Sequence, residues 1–588
     1  MLFVVCCLLL FFHDKVVVSK PGFQTSRELW LAHEQVLEDL FTDERHGEQR
    51  LQNFVRNNVQ GWVGTSDFSG INSVNDMRRL GRAGIMKRFG HPWNFKVVRT
   101  CDNDKNCQKV LRLRSKSEHK SQACVHSDVR DRWPAENKAK LQEMEPKGKL
   151  KKADPDSVKE FIRARKKQLD HLNKHKFEMF SCNATSKCSV HDADCRLFPT
   201  RQGMKDALAE DSEEEVDRPV KRRKVTVPYT AHDDDDEQAP LNDQDVPMMI
   251  NFGTPPCNPW TPANNSPERY LASSEVDSMS YCVEREVLAK GRVEAASIIE
   301  EVVGWPGAEK LGCQLDGVAQ YRDIVADSIE TGVPNYRKRK FAVTNTQSML
   351  VWIGPPTAAA VQEDYNRVFS HALTLTGDEY FCEEDDLVRC HQDALAKNRG
   401  RYLCLNDRLM TKDEVIDSLP HGSLKIYKEL EDERENFQDY CGHYIGDLSQ
   451  HPKGGKSQPG PHMPSSLSSS MFMSWKKGRL LHPYGHFAAL GHHMFEATRY
   501  GMPLAVMRPV LDELNLSFSK VKGLAGRAIH IIPYLAWTLY VMSNTVRVDS
   551  GYSLATQIGR VATTDFEESE DEGEPGGKVM QAPGGPSP

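Results

Sequence analysis

A chain of 588 residues is longer than one domain of about 100–200 residues requires, so it holds two or more units or one fold carrying large insertions. With 39% hydrophobic and 27% charged residues it is neither a multi-span membrane protein nor a wholly disordered chain. Its 83 acids against 76 Lys or Arg, a net charge of −7, exclude a histone-like polycation.

Residues 1–59 read as an N-terminal extension with a helical lead-in, where Leu29, Trp30, Val36, Leu37, Leu40, Phe41, Leu51 and Phe54 stand among charges. Within it, residues 2–12 form an apolar run as long as a signal-peptide core and too short to span a bilayer. No basic flank precedes that run and no small-residue cleavage signature follows, so a secretion signal and a buried extension are its two readings. The odd total of fifteen scattered cysteines fits a reducing compartment better than a disulfide scaffold.

From Gly61 short apolar runs ending in Gly or Asp alternate with helix-compatible segments, the texture of a βαβ series. Residues 62–66, 95–100 and 124–127 are predicted as the first three strands, within one half-domain at 60–135. Residues 136–245 read as a charged, largely disordered insertion. Strands return at 246–252, 295–303 and 340–343, giving a second half-domain at 246–345. Residues 346–475 lack a clean period and read as a separate variable lobe; 476–548, with the apolar run 529–542, return to the main fold, and 549–588 form an acidic, Gly/Pro-rich tail.

Chemistry gathers at the ends of the predicted strands. Asp67-Phe68-Ser69-Gly70-Ile71 stands where the first strand gives way to a helix, and a glycine there lets the backbone approach a ligand. Cys101-Asp102-Asn103-Asp104 follows the second strand, where an acid can hold ribose hydroxyls, and Ser127-Asp128-Val129 follows the third. Gly253-Thr254-Pro255-Pro256-Cys257-Asn258-Pro259-Trp260-Thr261 is a proline-stiffened turn with a thiol at its tip, able to hold a nucleophile near an electrophilic carbon. Glu300 and Glu301 close another apolar run. Arg337 and Arg339 alternate, which predicts guanidinium groups on one side of an extended strand, placed for a phosphate or an anionic intermediate.

Taken in order, these segments resemble the cytosine C5 DNA methyltransferase family. Asp67-Phe68-Ser69-Gly70-Ile71 is similar to its cofactor loop, Cys101-Asp102-Asn103-Asp104 and Ser127-Asp128-Val129 to its second and third motifs, and Pro256-Cys257 to its catalytic dipeptide. Glu300-Glu301-Val302 resembles its Glu-Asn-Val motif and Asn335-Tyr336-Arg337-Lys338-Arg339 its Gln-x-Arg-x-Arg motif. Gly478-Arg479-Leu480-Leu481 with Gly491, and Gly523-Leu524-Ala525-Gly526-Arg527-Ala528, are similar to the closing motifs, so the resemblance covers roughly residues 60–545. The chain departs from the family at Asn72, at residues 258–261, at Glu301 and at Arg527.

The resemblance implies an α/β, Rossmann-like S-adenosylmethionine-dependent methyltransferase fold with a separate target-recognition lobe. It implies DNA as partner, S-adenosyl-L-methionine as cofactor held by Asp67, Phe68, Ser69, Gly70, Asp102 and Asp128, and catalysis by Cys257, Glu300, Arg337 and Arg339 without a metal. In this chemistry an extruded cytosine takes the Cys257 thiolate at C6, Glu300 meets N3 and the amino group, and C5 accepts the methyl. A nucleic-acid-binding descendant that has lost transfer, and an RNA cytosine methyltransferase, are the alternatives; neither reading requires a membrane.

The insertion adds two signals. Cys182, Cys188, His191 and Cys195 lie within fourteen residues, near enough to ligate one zinc, in a spacing, C-x5-C-x2-H-x3-C, unlike a standard finger. Lys221, Arg222, Arg223 and Lys224, led by Arg218-Pro219-Val220, read as an address for a nuclear import receptor, and with a DNA-directed core this places the protein in the nucleus. The basic stretch 136–176, thirteen Lys or Arg against seven acids, predicts either a DNA-phosphate contact or a solvated helix.

Overall fold

The six predicted strands form, with shifted ends, as β1 (Trp62–Asp67), β2 (Phe95–Cys101), β3 (Cys124–His126), β6 (Met248–Gly253), β7 (Ala296–Glu301) and β9 (Arg339–Thr346), and three that the sequence did not mark join them: β4 (Thr185–Cys188), β5 (Ala193–Arg196) and β8 (Ala319–Ala326). The computed structural model describes residues 19–118, 123–212, 246–256, 260, 273–400, 408–435, 442–451 and 459–548, apart from 149, 152, 153, 182, 313, 499, 503 and 504. Outside the described residues lie the apolar run 2–12, Cys182, the basic run 218–225, Cys257 with Asn258, Pro259 and Thr261, and the tail 549–588.

Seven strands make one sheet in the order β3-β2-β1-β6-β7-β9-β8. The pairs from β3 to β7 are parallel, and β9 enters antiparallel between β7 and β8. The chain therefore works outward from β1 to β3 and then crosses back to lay β6 on the other side of β1. This is the open, doubly wound Rossmann-like α/β fold, and its switch point lies between the carboxyl ends of β1 and β6, where such sheets bind ligands. Every residue of β1, β6 and β7 is buried, as central strands covered on both faces require.

The strand pleat sorts side chains to two faces. On one face Trp62, Phe95, Val97, Ile250, Phe252, Ile298, Phe341 and Val343 join the main core. Helix Ile531–Ser543, buried at every residue, fills that core and meets the helices Ala32–Phe41, Gly47–Asn58 and Ser73–Phe89. Its Tyr534 hydroxyl donates to the Ile298 carbonyl at 3.4 Å and its Trp537 Nε1 to the Ala342 carbonyl at 3.2 Å, so it lies across β7 and β9. The other face is covered by helix Ser273–Lys290 and is more polar, with Tyr281 donating to Asn251 at 2.8 Å. The β1–β2 register slips between Gly64 and Thr65, passing over Val98, and this bulge brings Arg99 opposite Thr65.

The insertion differs from its predicted disorder over its described part. Helices Ala135–Glu143 and Pro155–Lys174, the hairpin β4–β5 and helix Arg201–Ser212 all form. The 20-residue helix is capped by Asp154, which accepts from the Asp156 and Ser157 amides, and starts with Pro155. It buries Phe161, Arg165, Gln168, His171 and Leu172, a helical stripe diluted by the surrounding lysines. Leu172 packs with Trp133, Leu141, Met179, Phe180, Val276, Val283 and Val287, a small core between the insertion and helix Ser273–Lys290. Several of the basic side chains are ion-paired within the protein: Lys140 with Glu136, Arg165 with Glu145 and Lys176 with Glu286.

In the variable region, helix Ala358–Phe369 belongs to the main core through Val361, Tyr365, Val368 and Phe369. A second core, built on Val415, Leu419, Tyr427, Leu430, Leu448, Met473 and Trp475, marks a lobe of its own, with Tyr427 stacked on Trp475 at 5.2 Å. The lobe joins the sheet where Tyr336 N donates to Met463 O and Met463 N to Pro334 O, both at 2.9 Å. Among the described residues no helix is long and apolar enough to cross a membrane.

Trp537, fully buried and stacked on Tyr540 at 5.8 Å, anchors the C-terminal helix under the sheet. Trp537→Ala is expected to cost about 3–5 kcal/mol of unfolding free energy, read as a lower urea midpoint at unchanged slope.

Candidate functional site

The loop after β1 is tightly wound. Phe68 has φ 54°, Gly70 φ 56° and Asn72 φ 64°, and Asn72 opens helix Ser73–Phe89 from the left-handed region. A Cβ on Gly70 would stand 3.0 Å from the Arg527 carbonyl oxygen, so position and backbone angle both call for glycine. Gly70 N donates to Asp102 Oδ2 at 2.8 Å, joining the loops after β1 and β2. Gln108 Nε2 donates to the carbonyls of Asp102 at 2.9 Å and Ser127 at 3.1 Å, joining the loops after β2 and β3. Asp102 and Asp128 are thus brought to one end of the sheet with Gly70. Gln108 is a residue the sequence did not single out, and nothing in its local pattern marks it.

The site residues divide by what their side chains touch. Asp102 is 9% exposed and accepts from the backbone of Gly70 and Asp104, with lone pairs remaining for a ligand hydroxyl. Burial pushes its carboxyl up to about 6, against those two amide hydrogen bonds. Asp128 is half-buried and caps the turn Val129–Arg132 through the Arg130 amide at 2.9 Å. The half-buried Phe68 ring packs on Tyr281 at 6.0 Å. Ser69 is committed internally: its hydroxyl donates to Ser66 O at 2.8 Å and accepts from Cys101 N at 3.0 Å, which makes it a positioning residue.

Asp67 corrects the sequence reading. The pleat turns its side chain into the face under helix Ser273–Lys290, where it is 0% exposed and bonded to Arg99, Arg132 and, at 3.0 Å, Asn251 Nδ2. Arg285 stands 3.6 Å away. Burial would raise its pKa, but the charges of Arg132, Arg99 and Arg285 outweigh burial and hold the carboxyl far below the usual carboxylate range. A carboxylate so engaged locks the loop rather than touching a cofactor.

At the other end of the switch point, Thr254 begins the segment that follows β6. Its amide donates to Asp67 O at 3.3 Å and its hydroxyl to Phe68 O at 2.7 Å, which fastens this segment to the loop after β1. Trp260, four residues past Pro256, lies under Lys310 Nζ at 5.1 Å from the ring, and its carbonyl would stand 2.7 Å from a Cβ on Gly304. Thr254 is therefore fastened to the end of β1, and Trp260 lies against the turn after β7.

Glu300 and Glu301 end β7 on opposite faces. Glu300 is 7% exposed, and its Oε1 lies 3.0 Å from Arg339 Nε in an ion pair whose angle is not that of a hydrogen bond. Glu301 points to the face under helix Ser273–Lys290, where burial first, and the Glu300 charge next, push its pKa well above the usual carboxylate range. The two arginines do not share one side of a strand, as predicted. Arg337 precedes β9, is 4% exposed and donates to the Ala528 carbonyl at 2.8 Å, whereas Arg339 begins β9 and reaches Glu300. Arg337 ties the C-terminal segment to the sheet. Arg527 pairs with Asp104, which itself caps helix Lys105–Glu118 through the Asn106 and Cys107 amides.

No protein-family model and no curated protein matches the chain. Among solved structures it is similar to the methyltransferase EhMeth of Entamoeba histolytica at 11% identity, covering 82% of this chain and 98% of that one with a TM-score of 0.33. It is similar to the Dnmt2 methyltransferase of S. pombe at 10% identity, 82% and 97% coverage and a TM-score of 0.34. A third, a DNMT2 mutant of Spodoptera frugiperda, has 14% identity, 50% and 78% coverage and a TM-score of 0.25. The fold is read from the strand order itself.

Two buried aspartates should respond in opposite ways. Asp67→Asn leaves buried guanidinium groups short of a counter-ion and is expected to cost about 3–5 kcal/mol at pH 7 by urea unfolding. Asp102 holds its proton more tightly folded than unfolded, its pKa rising from 3.8 to about 6, so its contribution is present below pH 3.8 and is lost as pH rises through about 6. Asp102→Asn should therefore gain stability relative to the native chain between about pH 4 and 6 and hold that gain above it, measured as paired urea midpoints across the range.

Proposed function

We propose that the protein is an S-adenosylmethionine-dependent methyltransferase that acts on C5 of cytosine in DNA. The observation that carries this reading is the convergence at one end of the sheet of the Gly70–Asp102 contact, of Thr254, which stands three residues before Cys257 in the sequence, and of Glu300 paired with Arg339. Asp102 with lone pairs to spare, and Asn72 with a buried Oδ1 that accepts no hydrogen bond among the described residues, fit the polar edge of an adenosine. Phe68, Gly70, Asp102 and Asp128 would hold the cofactor, with Asp67 and Ser69 fixing the loop beneath it. S-adenosylmethionine, when bound, supplies an electrophilic methyl group.

The chain's residues then divide the work. Cys257 as thiolate adds to C6 of a cytosine swung out of the duplex, forming an S–C6 bond as the C5–C6 electron pair shifts towards N3. Glu300 meets N3 and the amino group, and a proton relayed through it from solvent to N3 neutralises the charge gathering there. Arg339 holds the Glu300 carboxyl at this position. C5, now nucleophilic, would take the methyl as its bond to the donor's sulfonium sulfur breaks and a neutral thioether departs; passage of the C5 proton to water, return of the N3 proton through Glu300 and cleavage of the S–C6 bond then restore the aromatic ring and the thiolate. Nuclear residence belongs to this reading and rests on Lys221, Arg222, Arg223 and Lys224 as an import address.

One observation favours a second reading, a nucleic-acid-binding descendant without transfer. Arg527 bridges the C-terminal segment to Asp104, and its carbonyl presses on Gly70, which narrows the approach to the cofactor loop.

Trapping separates the two. DNA carrying 5-fluorocytosine should give a covalent adduct with the native chain that requires S-adenosylmethionine and disappears in Cys257→Ala. Glu300→Gln should lower turnover about 10²–10³-fold while the protein stays folded by circular dichroism. Nucleic-acid binding by calorimetry with neither cofactor binding nor adduct would establish the second reading, and adduct formation on tRNA but not on DNA would move the substrate to RNA.

A further inference from the structure

Outside this site, one cluster of ligating side chains stands in the insertion. β4 ends at Cys188, β5 carries Cys195, and the turn between them folds His191 back over both strands. His191 Nδ1 lies 3.4 Å from the Sγ atoms of Cys188 and Cys195 and 3.5 Å from Sγ of Cys124, the first residue of β3. The four ligand atoms all lie within 4.8 Å of one another. Cys124, Cys188 and Cys195 are 8%, 0% and 1% exposed.

Hydrogen bonding does not account for this convergence. A ring nitrogen carries at most one proton and one bond direction, so it cannot serve three sulfurs at once, and a thiol is a weak partner for another thiol. A cation at the centre does account for it. With metal–sulfur bonds of about 2.3 Å and a metal–nitrogen bond of about 2.0–2.1 Å, a tetrahedron sets N and S about 3.5 Å apart. The three observed N···S separations have that value. Cys188 Sγ also accepts the amides of Val125 and Val190, each at 3.4 Å, the outer hydrogen bonds that settle a metal-bound thiolate.

We infer that Cys124, Cys188, His191 and Cys195 form a structural zinc site that bolts the insertion to the edge of the main sheet. Three thiolates and one imidazole select zinc among common divalent ions, and four protein ligands close the site, leaving no position for a substrate. The spacing within the hairpin pointed to Cys182 as the fourth ligand; Cys124, far upstream in the chain, takes that place because β3 is laid beside β4. The bolt has a mechanical use. β3 is a three-residue edge strand paired with β2 on one side, and on the other Ser189 donates from N and Oγ to Val125 O at 2.9 and 3.0 Å. Asp128 follows two residues after β3, so the ion steadies the loop that carries it.

The test uses full-length protein purified without added metal and analysed by inductively coupled plasma mass spectrometry. About one zinc per chain should survive dialysis. Cys124→Ser and Cys188→Ser should each weaken retention by at least about 100-fold against a chelating dye, while Cys182→Ser retains the metal. Should Cys124→Ser fail to fold, two further measurements decide: cobalt(II) replacement in the native chain should give the absorption bands of a tetrahedral thiolate site, and His191→Cys, which preserves a four-ligand set, should keep zinc. A native chain that binds no zinc after reduction and zinc addition, a Cys188–Cys195 disulfide in the purified protein, or metal loss in Cys182→Ser but not in Cys124→Ser would overturn the assignment.

Discussion

One buried carboxylate holds the architecture of the site together. Asp67 ends β1 and gathers Arg99 from β2, Arg132 from the turn after β3, Asn251 from β6 and, at longer range, Arg285 from the covering helix. A charge in such a place is costly unless it is met by opposite charge and hydrogen bonds, and here both are supplied in excess. Because its partners come from separate stretches of chain, the contact forms only when strand order and register are both correct. The bulge at Val98 is part of this device, for it is the slip that brings Arg99 to the Asp67 face.

What the anchor fixes is the mouth of the switch point. With Asp67 turned inward, the Phe68–Gly70 backbone is left at the carboxyl end of the sheet, where Thr254 can bond to it and Gly70 can reach Asp102. The loops after β1 and β2 and the segment after β6 therefore share one edge. Glu300 stands on the neighbouring strand with Arg339 beside it, and the segment leading into Arg339 is the one that pairs with the second lobe at Met463.

Much of this was legible in the sequence, and the failures have physical reasons. The strands, their order of appearance and the acids at their ends were marked by short apolar runs closed by Gly or Asp, since central parallel strands must be apolar on both faces. The direction of a side chain at a strand end was not marked. Asp67 sits in the motif expected to touch a cofactor, yet the pleat sends it inward, and Arg337 lies just before the strand whose alternation was invoked for it. The insertion was misread because charge dominates its composition, while its stripe of Phe161, Gln168 and Leu172 is sparse. Cys124 escaped notice because contacts between distant segments leave no local spacing to read.

Helix Ile531–Ser543 occupies the middle of the main core although it is made late in the chain, and the first helices, Ala32–Phe41 and Gly47–Asn58, lean on it. Those first helices also meet one another, and Ala32–Phe41 meets helix Ser73–Phe89, but the surface they turn to residues 531–543 has its partner only when that later segment is present. The main core is therefore closed by segments far apart along the chain, and it is complete only once residues 531–543 are in place.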